Sequence, residues 1–185
     1  LGSEKYNLRD HCLSMGYNTD DLEALGLISS KNQMDIYRSR LIFPIKSISG
    51  RTIGFGARIL DNNKKSAKYI NSPDSIIYNK SNVLFGLYNS KNEIVKKDNC
   101  FIAEGYTDVM RFHQIGIKNI VSSSGTALTV SQINLIRRLT KNVTMLFDSD
   151  KAGVNATERA VELLLSQGMN IDICILPDNE DPDSF

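Results

Sequence analysis

"CFIAEGYTDVMRFHQIGIKNIVSS", residues 100–123, decides the fold. Cys100–Ala103 is a short continuous apolar run, too brief for a helix and suited to a strand buried on both faces. "YTDVMRFHQIG" carries helical spacing and closes on Gly116, a residue type favoured just past a helix end. "NIVSS" is a second short apolar strand. A strand, a helix and a strand in such quick succession predict a βαβ unit, whose two strands run parallel.

Reading toward the C-terminus, the rhythm repeats. "SGTAL" is a turn, and "TVSQINLIRRLT" a helix capped by Thr129 or Ser131. "VTMLF" is a strand, "AGVNATERAVELLLSQG" an amphipathic helix closed by Gly168, and "IDICIL" a strand. Strands alternating with helices predict an α/β domain with a parallel sheet covered on both faces. Reading toward the N-terminus, the rhythm is lost. Residues 1–40 are helical and irregular, and "NTDDLEALGLIS" reads as an Asp-capped helix ending near Gly26. "RLIFPI" and "RTIGFGARIL" flank "KSISG" as a β-hairpin. "DNNKKSAKYINSPDS", polar and holding Pro73, reads as a loop, and "LYNSKNEIVKKD" as a helix with Leu87, Ile94 and Val95 on one face. The change of rhythm places a boundary near Lys97: a smaller mixed α+β basic domain, 1–97, precedes the parallel-sheet domain, 98–185.

Charge divides the same way. Residues 1–97 hold 15 Lys and Arg against 9 Asp and Glu; residues 98–185 hold 7 against 12. The near-neutral total therefore hides a basic half suited to polyanions and an acidic half suited to cations. No apolar stretch approaches the roughly 18 residues a membrane helix needs, and no signal-peptide pattern opens the chain. Cys12, Cys100 and Cys174 are far apart in sequence. They form no zinc-type pair and read as free thiols of a reducing, cytoplasmic setting. The chain does not begin with methionine, so it is expected to be a piece of a longer protein.

Three of the strands run into acid. "CFIA" leads to Glu104 with Asp108 four residues on, "VTMLF" to Asp148 and Asp150, and "IDICIL" to "PDNEDPD" with Asp181 and Asp183. Ligands of open parallel sheets bind beyond the carboxyl ends of the strands, so these six carboxylates are expected on one rim. Clustered carboxylates repel one another unless cations lie between them, and an all-oxygen set favours Mg²⁺ first and Mn²⁺ second. Taken one at a time, each has a plainer reading: Asp150 as a helix cap, Asp108 as a helix-dipole partner, "EDPDSF" as a solvated turn. In the basic half, residues 38–80 hold nine Lys and Arg against Asp61 and Asp74. Strand alternation puts Thr52, Gly54, Gly56 and Arg58 on one face, where small residues would leave room for a backbone or nucleotide. Lys68, Tyr69 and Asn71 combine a cation, a stacking ring and an amide, a set suited to a nucleotide or single strand. A solvated basic face is the alternative.

"IAEGYTDVMRFHQIGIKNIVSSSGTALT" followed by "MLFDSDKAGVNAT" resembles the Toprim domain of primases, topoisomerases and some nucleases. "RLIFPIKSISGRTIGFGARIL", "KYINSPDSIIYNKSNVLFGL" and "LPDNEDPDSF" narrow the resemblance to bacterial DnaG-type primase, over residues 14–185. The resemblance implies a nucleotidyltransferase: a template-directed RNA polymerase making primers on single-stranded DNA from NTPs, with an RNA–DNA hybrid as product. It implies Glu104 as catalytic acid, Asp148 and Asp150 as metal ligands, and Asp108, Asp181 and Asp183 as further acids of the metal site. Arg38, Arg40, Arg58, Lys68, Tyr69, Asn71 and Lys80 match positions that hold nucleotide or nucleic acid. The family's zinc-binding domain and helicase-binding domain are expected outside this stretch, so no zinc is expected here and a replicative helicase would be met through a domain not in this chain. A bacterial cytoplasmic location at the replication fork is implied. Two rivals use the same residues: a Toprim nuclease with water as nucleophile, and a non-catalytic DNA-binding module. A topoisomerase would require a nucleophilic tyrosine on another domain.

Overall fold

The computed structural model describes residues 7–60, 66–147 and 151–175. Packing divides the chain into two units: residues 1–45 with 52–79, and residues 46–51 with 80–185. Composition shifts at Lys97, but packing divides the chain at Asn79. The helix that precedes Lys97, α3 (Leu87–Lys97), buries Leu87, Ser90 and Ile94, and Leu87 and Ile94 join the second unit's core.

The first unit opens with α1 (Asn7–Ser14) and α2 (Thr19–Ala24). The buried Asp35 carboxylate accepts the backbone N–H groups of Leu8 and Arg9, satisfying donors that a helix N-terminus leaves over. The cap of α2 is Asn18, not an aspartate: its Oδ1 accepts the Asp21 N–H at 2.8 Å. Gly26 ends the turn after α2 with φ +65°, and a Cβ there would lie 2.2 Å from Pro73 Cδ, so only glycine fits.

Strands β1 (Arg40–Lys46) and β2 (Thr52–Ile59) are neighbours joined by five residues, as the hairpin reading requires. A third strand, β3 (Tyr69–Asn71), pairs antiparallel with β2, with Arg58 against Tyr69 and Gly56 against Asn71. This corrects the reading of that segment as a loop. Tertiary partners hold it: the Ser72 N–H donates to Phe55 O, and the Phe55 N–H to Ser72 Oγ. Pro73 follows directly, where no ladder donor is needed.

The second unit is built on four parallel strands: β4 (Cys100–Ala103), β5 (Ile120–Ser122), β6 (Asn142–Phe147) and β7 (Asn170–Ile175). Their order is β5-β4-β6-β7. The connecting helices are α4 (Tyr106–Gln114), α5 (Val130–Arg137) and α6 (Lys151–Ser166). Alternate residues of the strands feed two cores. Cys100, Ile102, Val121, Val143 and Met145 pack with Leu87 and Ile94 of α3, Ile133 and Ile136 of α5, and Ala160 and Leu164 of α6. Ala103, Ile120 and Leu146 pack with Val109 and Phe112 of α4. The sheet is thus covered on both faces, α4 on one and α3, α5 and α6 on the other. That is the arrangement right-handed crossovers demand when the chain steps one way from β4 and the other way from β6. Burial also raises the Cys100 thiol pKa well above its ordinary value, so this cysteine stays protonated and inert. Among the described residues no helix is long and apolar enough to cross a membrane.

Candidate active site and basic sheet

The strand order locates the site. From β4 the chain crosses to β5 on one side, and from β6 to β7 on the other, so the sheet's topological switch point lies between β4 and β6. The crevice beyond the carboxyl ends of two such strands is where doubly wound sheets bind ligands. Ile102 is level with Met145, so β4 and β6 finish side by side. Glu104 is the first residue past β4. Asp148, the first residue after Phe147 in the sequence, lies outside the described residues, as do Asp150, Asp181 and Asp183.

The loops at this end hold Glu104 by its backbone. Its carbonyl accepts the Ser122 hydroxyl at 2.9 Å and the Gly125 N–H at 3.2 Å. Ser122 Oγ also accepts the Ser124 N–H at 2.8 Å, so one hydroxyl ties the end of β5 and the following loop to the end of β4. Ser124 and Gly125 both have positive φ, which folds that loop tightly back. Asp108 acts locally: its Oδ2 accepts the Gly105 N–H at 2.7 Å, capping α4 and fixing the turn that carries Glu104. The structure thus places Glu104 and Asp108 in one turn, with the Asp108 carboxylate buried against the helix start.

A divalent cation suits this donor chemistry. Glu104 supplies a hard oxygen donor at the switch point. Among the described residues, no three His, Cys, Asp or Glu side chains gather into a metal group.

The basic residues of the first unit converge across the three-stranded sheet. The Arg40 guanidinium donates to the carbonyls of Ala67, at 2.9 Å, and Lys68, at 3.5 Å. The Arg58 guanidinium carbon and Lys68 Nζ lie 5.7 and 5.9 Å from the Tyr69 ring centroid, both within cation–π range. Arg40, Arg58, Lys68 and Tyr69 therefore form one basic, aromatic-centred patch, with Asn71 two residues along β3. The Arg38 guanidinium donates to Met34 Sδ at 3.5 Å. One sequence expectation fails: the small residues before Arg58 leave no open slot at Gly54. Its missing Cβ is replaced by the Tyr78 ring, 3.1 Å from where that atom would stand.

Lys80 belongs to the second unit, at the head of a 3₁₀ turn (Lys80–Asn82). A fully buried Gln132 holds that turn. Its Nε2 donates to the carbonyls of Lys80 and Val83 at 3.0 and 2.8 Å, and its Oε1 accepts the Thr129 N–H. Thr129 Oγ1 donates to Ser81 O at 2.6 Å. Neither Ser122 nor Gln132 was singled out from sequence, although "TVSQ" (129–132) has the spacing of a capping box and could have drawn attention to Gln132.

Residues 2–91 match a family model described as "DNA primase catalytic core, N-terminal domain", and residues 101–185 one described as "Toprim-like". A DNA primase of Clostridium acetobutylicum is 43% identical over 175 residues, covering 93% of this chain and 29% of the relative. A DNA primase of Aquifex aeolicus is 43% identical over 166 residues, 89% of this chain and 33% of the relative. The chain thus spans about a third of the length of the curated relatives it matches. Among solved structures, the RNA polymerase domain of Mycobacterium tuberculosis primase DnaG superposes with a TM-score of 0.88 at 34% identity, covering 98% of this chain and 62% of that one. A DnaG primase catalytic domain bound to ssDNA gives 0.86 at 35% identity, covering 97% and 59%.

Proposed function

The chain belongs over both of its halves to the catalytic-core family of DnaG-type DNA primases, and from that premise we propose that it synthesises RNA primers from NTPs on a single-stranded DNA template. The observation that carries this reading is the strand order, which sets Glu104 at the switch point beside the strand that leads into Asp148 and Asp150. We assign residues 1–97 to the basic part of the core and residues 98–185 to its catalytic Toprim part.

The reaction is attack of a primer 3′-hydroxyl on the α-phosphorus of the incoming NTP, with pyrophosphate leaving. Glu104, Asp148 and Asp150 would hold Mg²⁺ or Mn²⁺, with Asp108, Asp181 and Asp183 as the surrounding acids. Such an ion, when bound, acidifies the attacking hydroxyl and neutralises charge on the triphosphate. The chain's own part is positioning. Ser122 and Gly125 fix the Glu104 backbone, Asp108 fixes the turn after it, and the Glu104 carboxylate would hold or accept a proton. Arg38, Arg40, Arg58, Lys68, Tyr69, Asn71 and Lys80 would contact nucleotide or template by phosphate attraction and stacking, with little sequence readout.

The test is incorporation of labelled NTP on a single-stranded DNA template, by the protein and by its Glu104→Gln variant. Template-dependent RNA made by the parent and lost in the variant supports the reading. Cleavage of the nucleic acid without incorporation would instead favour the Toprim nuclease.

A further inference from the structure

The segment between β1 and β2 packs within the second unit, around one aromatic ring. Tyr88, on α3, has Lys46 Nζ at 5.2 Å and Lys91 Nζ at 4.7 Å from its ring centroid. Lys91 Nζ also donates to Ile48 O at 3.1 Å, tying the turn to α3. Gly50, with φ +91°, lies against the same ring: a Cβ there would stand 2.6 Å from Tyr88 Cε2 and Cζ. The ring is over a third exposed, so the cluster faces solvent.

This is an unusual concentration of positive charge. Two ammonium groups converge on one ring, 5.2 and 4.7 Å from its centroid, and repel one another across it. Neither has a carboxylate in ion-pair range: among the described residues the ion pair is Lys96 with Glu93, at 3.6 Å. A cation–π contact holds each ammonium, but it does not neutralise it. What such a pair lacks is an anion that can approach both, with enough charge to offset their mutual repulsion. A phosphodiester backbone carries a charge at every nucleotide and can answer both ammoniums, and the part-exposed Tyr88 they share adds an aromatic contact to the same strand.

We propose that Lys46, Lys91 and Tyr88 form a nucleic-acid backbone contact in the second unit, distinct from the patch of Arg40, Arg58, Lys68 and Tyr69. The proposal rests on the reading of the chain as a nucleic-acid polymerase core. Its ligand is a single-stranded nucleic acid held by phosphate attraction, without sequence preference. Gly50 and the Lys91–Ile48 hydrogen bond pre-set the two lysines.

The test is the salt dependence of binding to a labelled oligo-dT strand, measured by anisotropy between 50 and 200 mM salt. It is run on the full chain, on Lys46→Gln/Lys91→Gln, on Tyr88→Leu and on Lys96→Gln. The double variant is expected to flatten the slope of log K against log salt by about 1.4, two phosphates' worth for a single strand. Tyr88→Leu is expected to weaken binding about 5- to 20-fold with a smaller change of slope. Lys96→Gln, which removes a lysine already paired with Glu93, should leave both unchanged. A double variant with the parent's slope overturns the proposal while leaving primer synthesis untouched. A slope flattened equally by Lys96→Gln also overturns it, because the effect is then one of net charge. A parent chain without salt-dependent binding would overturn both this contact and the polymerase reading, whereas loss of NTP incorporation alone bears only on the latter.

Discussion

The two ends of the parallel sheet treat their polar groups in opposite ways. At the amino end, side chains of one strand start reach the side chains and backbone of the next. Asp98 accepts from Thr140 Oγ1 and Asn142 Nδ2, at 2.8 and 2.9 Å, and Asn170 donates to Asn142 Oδ1. Asn99 donates to Thr144 Oγ1, and the buried Asn119 to Asn99 O. This belt stitches the strand starts together. At the carboxyl end, the hydrogen bonds gather instead on one short stretch of backbone: Ser122 Oγ and Gly125 N–H donate to Glu104 O, and the Gly105 N–H donates to Asp108. The lesson is that hydrogen bonding at one end stabilises, while at the other it places a single carboxylate. Both ends are polar in sequence, and only the direction of the bonds tells them apart.

The largest expected effect lies at the carboxyl end. Glu104→Gln keeps shape and loses charge, and is expected to reduce NTP incorporation by about 10²–10³-fold with the melting temperature unchanged. A variant that melts early would erase the contrast between the two ends. The mirror experiment is Asp98→Ala, which strips two side-chain hydrogen bonds from the amino end. Urea unfolding should show a loss of about 2–3 kcal/mol, with incorporation per folded molecule unaltered. Between them stands Ser122→Ala. It leaves the Ser124 N–H without its acceptor, for about 1–2 kcal/mol of stability, and loosens Glu104, for about a tenfold lower kcat. If stability falls while kcat holds, the clamp is structural and the comparison must be redrawn.

The smallest effect is a pH dependence away from both ends. His113 lies 3.3 Å from Ser90 Oγ, and burial, aided by the nearby Lys118, lowers its pKa from the usual 6.5. The folded state therefore favours the neutral ring more than the unfolded chain does. Its contribution to stability is full above pH 6.5 and lost as pH falls from there through the lowered pKa. Thermal melts between pH 7.5 and 5 should show a fall in this window that His113→Gln flattens.

The parallel sheet was legible because β4, β5 and β6 are short apolar runs between helical periods, a pattern that only a doubly covered sheet buries. β3 was not, because a three-residue strand held by Ser72 and flanked by Pro73 carries no periodic signal. Asn18 was passed over for an aspartate because both residue types cap helices and only the backbone bond to Asp21 decides. The filling of Gly54 by Tyr78 is a contact between residues far apart in sequence, invisible to alternation. At the site, the strand ends identified Glu104, but no spacing rule distinguishes the Asp108 that caps a helix from one that faces a ligand. In this structure Asp108 accepts the Gly105 N–H at the start of α4.

The passage of the chain between its two units has a consequence for how it is made. It leaves the first unit after Ile45, returns at Thr52 and crosses for good after Asn79. Neither unit is a continuous stretch of gene. The turn at Ile48 is synthesised 43 residues before the Lys91 that ties it down. During translation the hairpin tip, which packs with the second unit, therefore waits for α3 to emerge after the rest of the first unit has been made. Trimming the protein at the composition boundary would leave that turn with α3 but without the sheet that α3 covers.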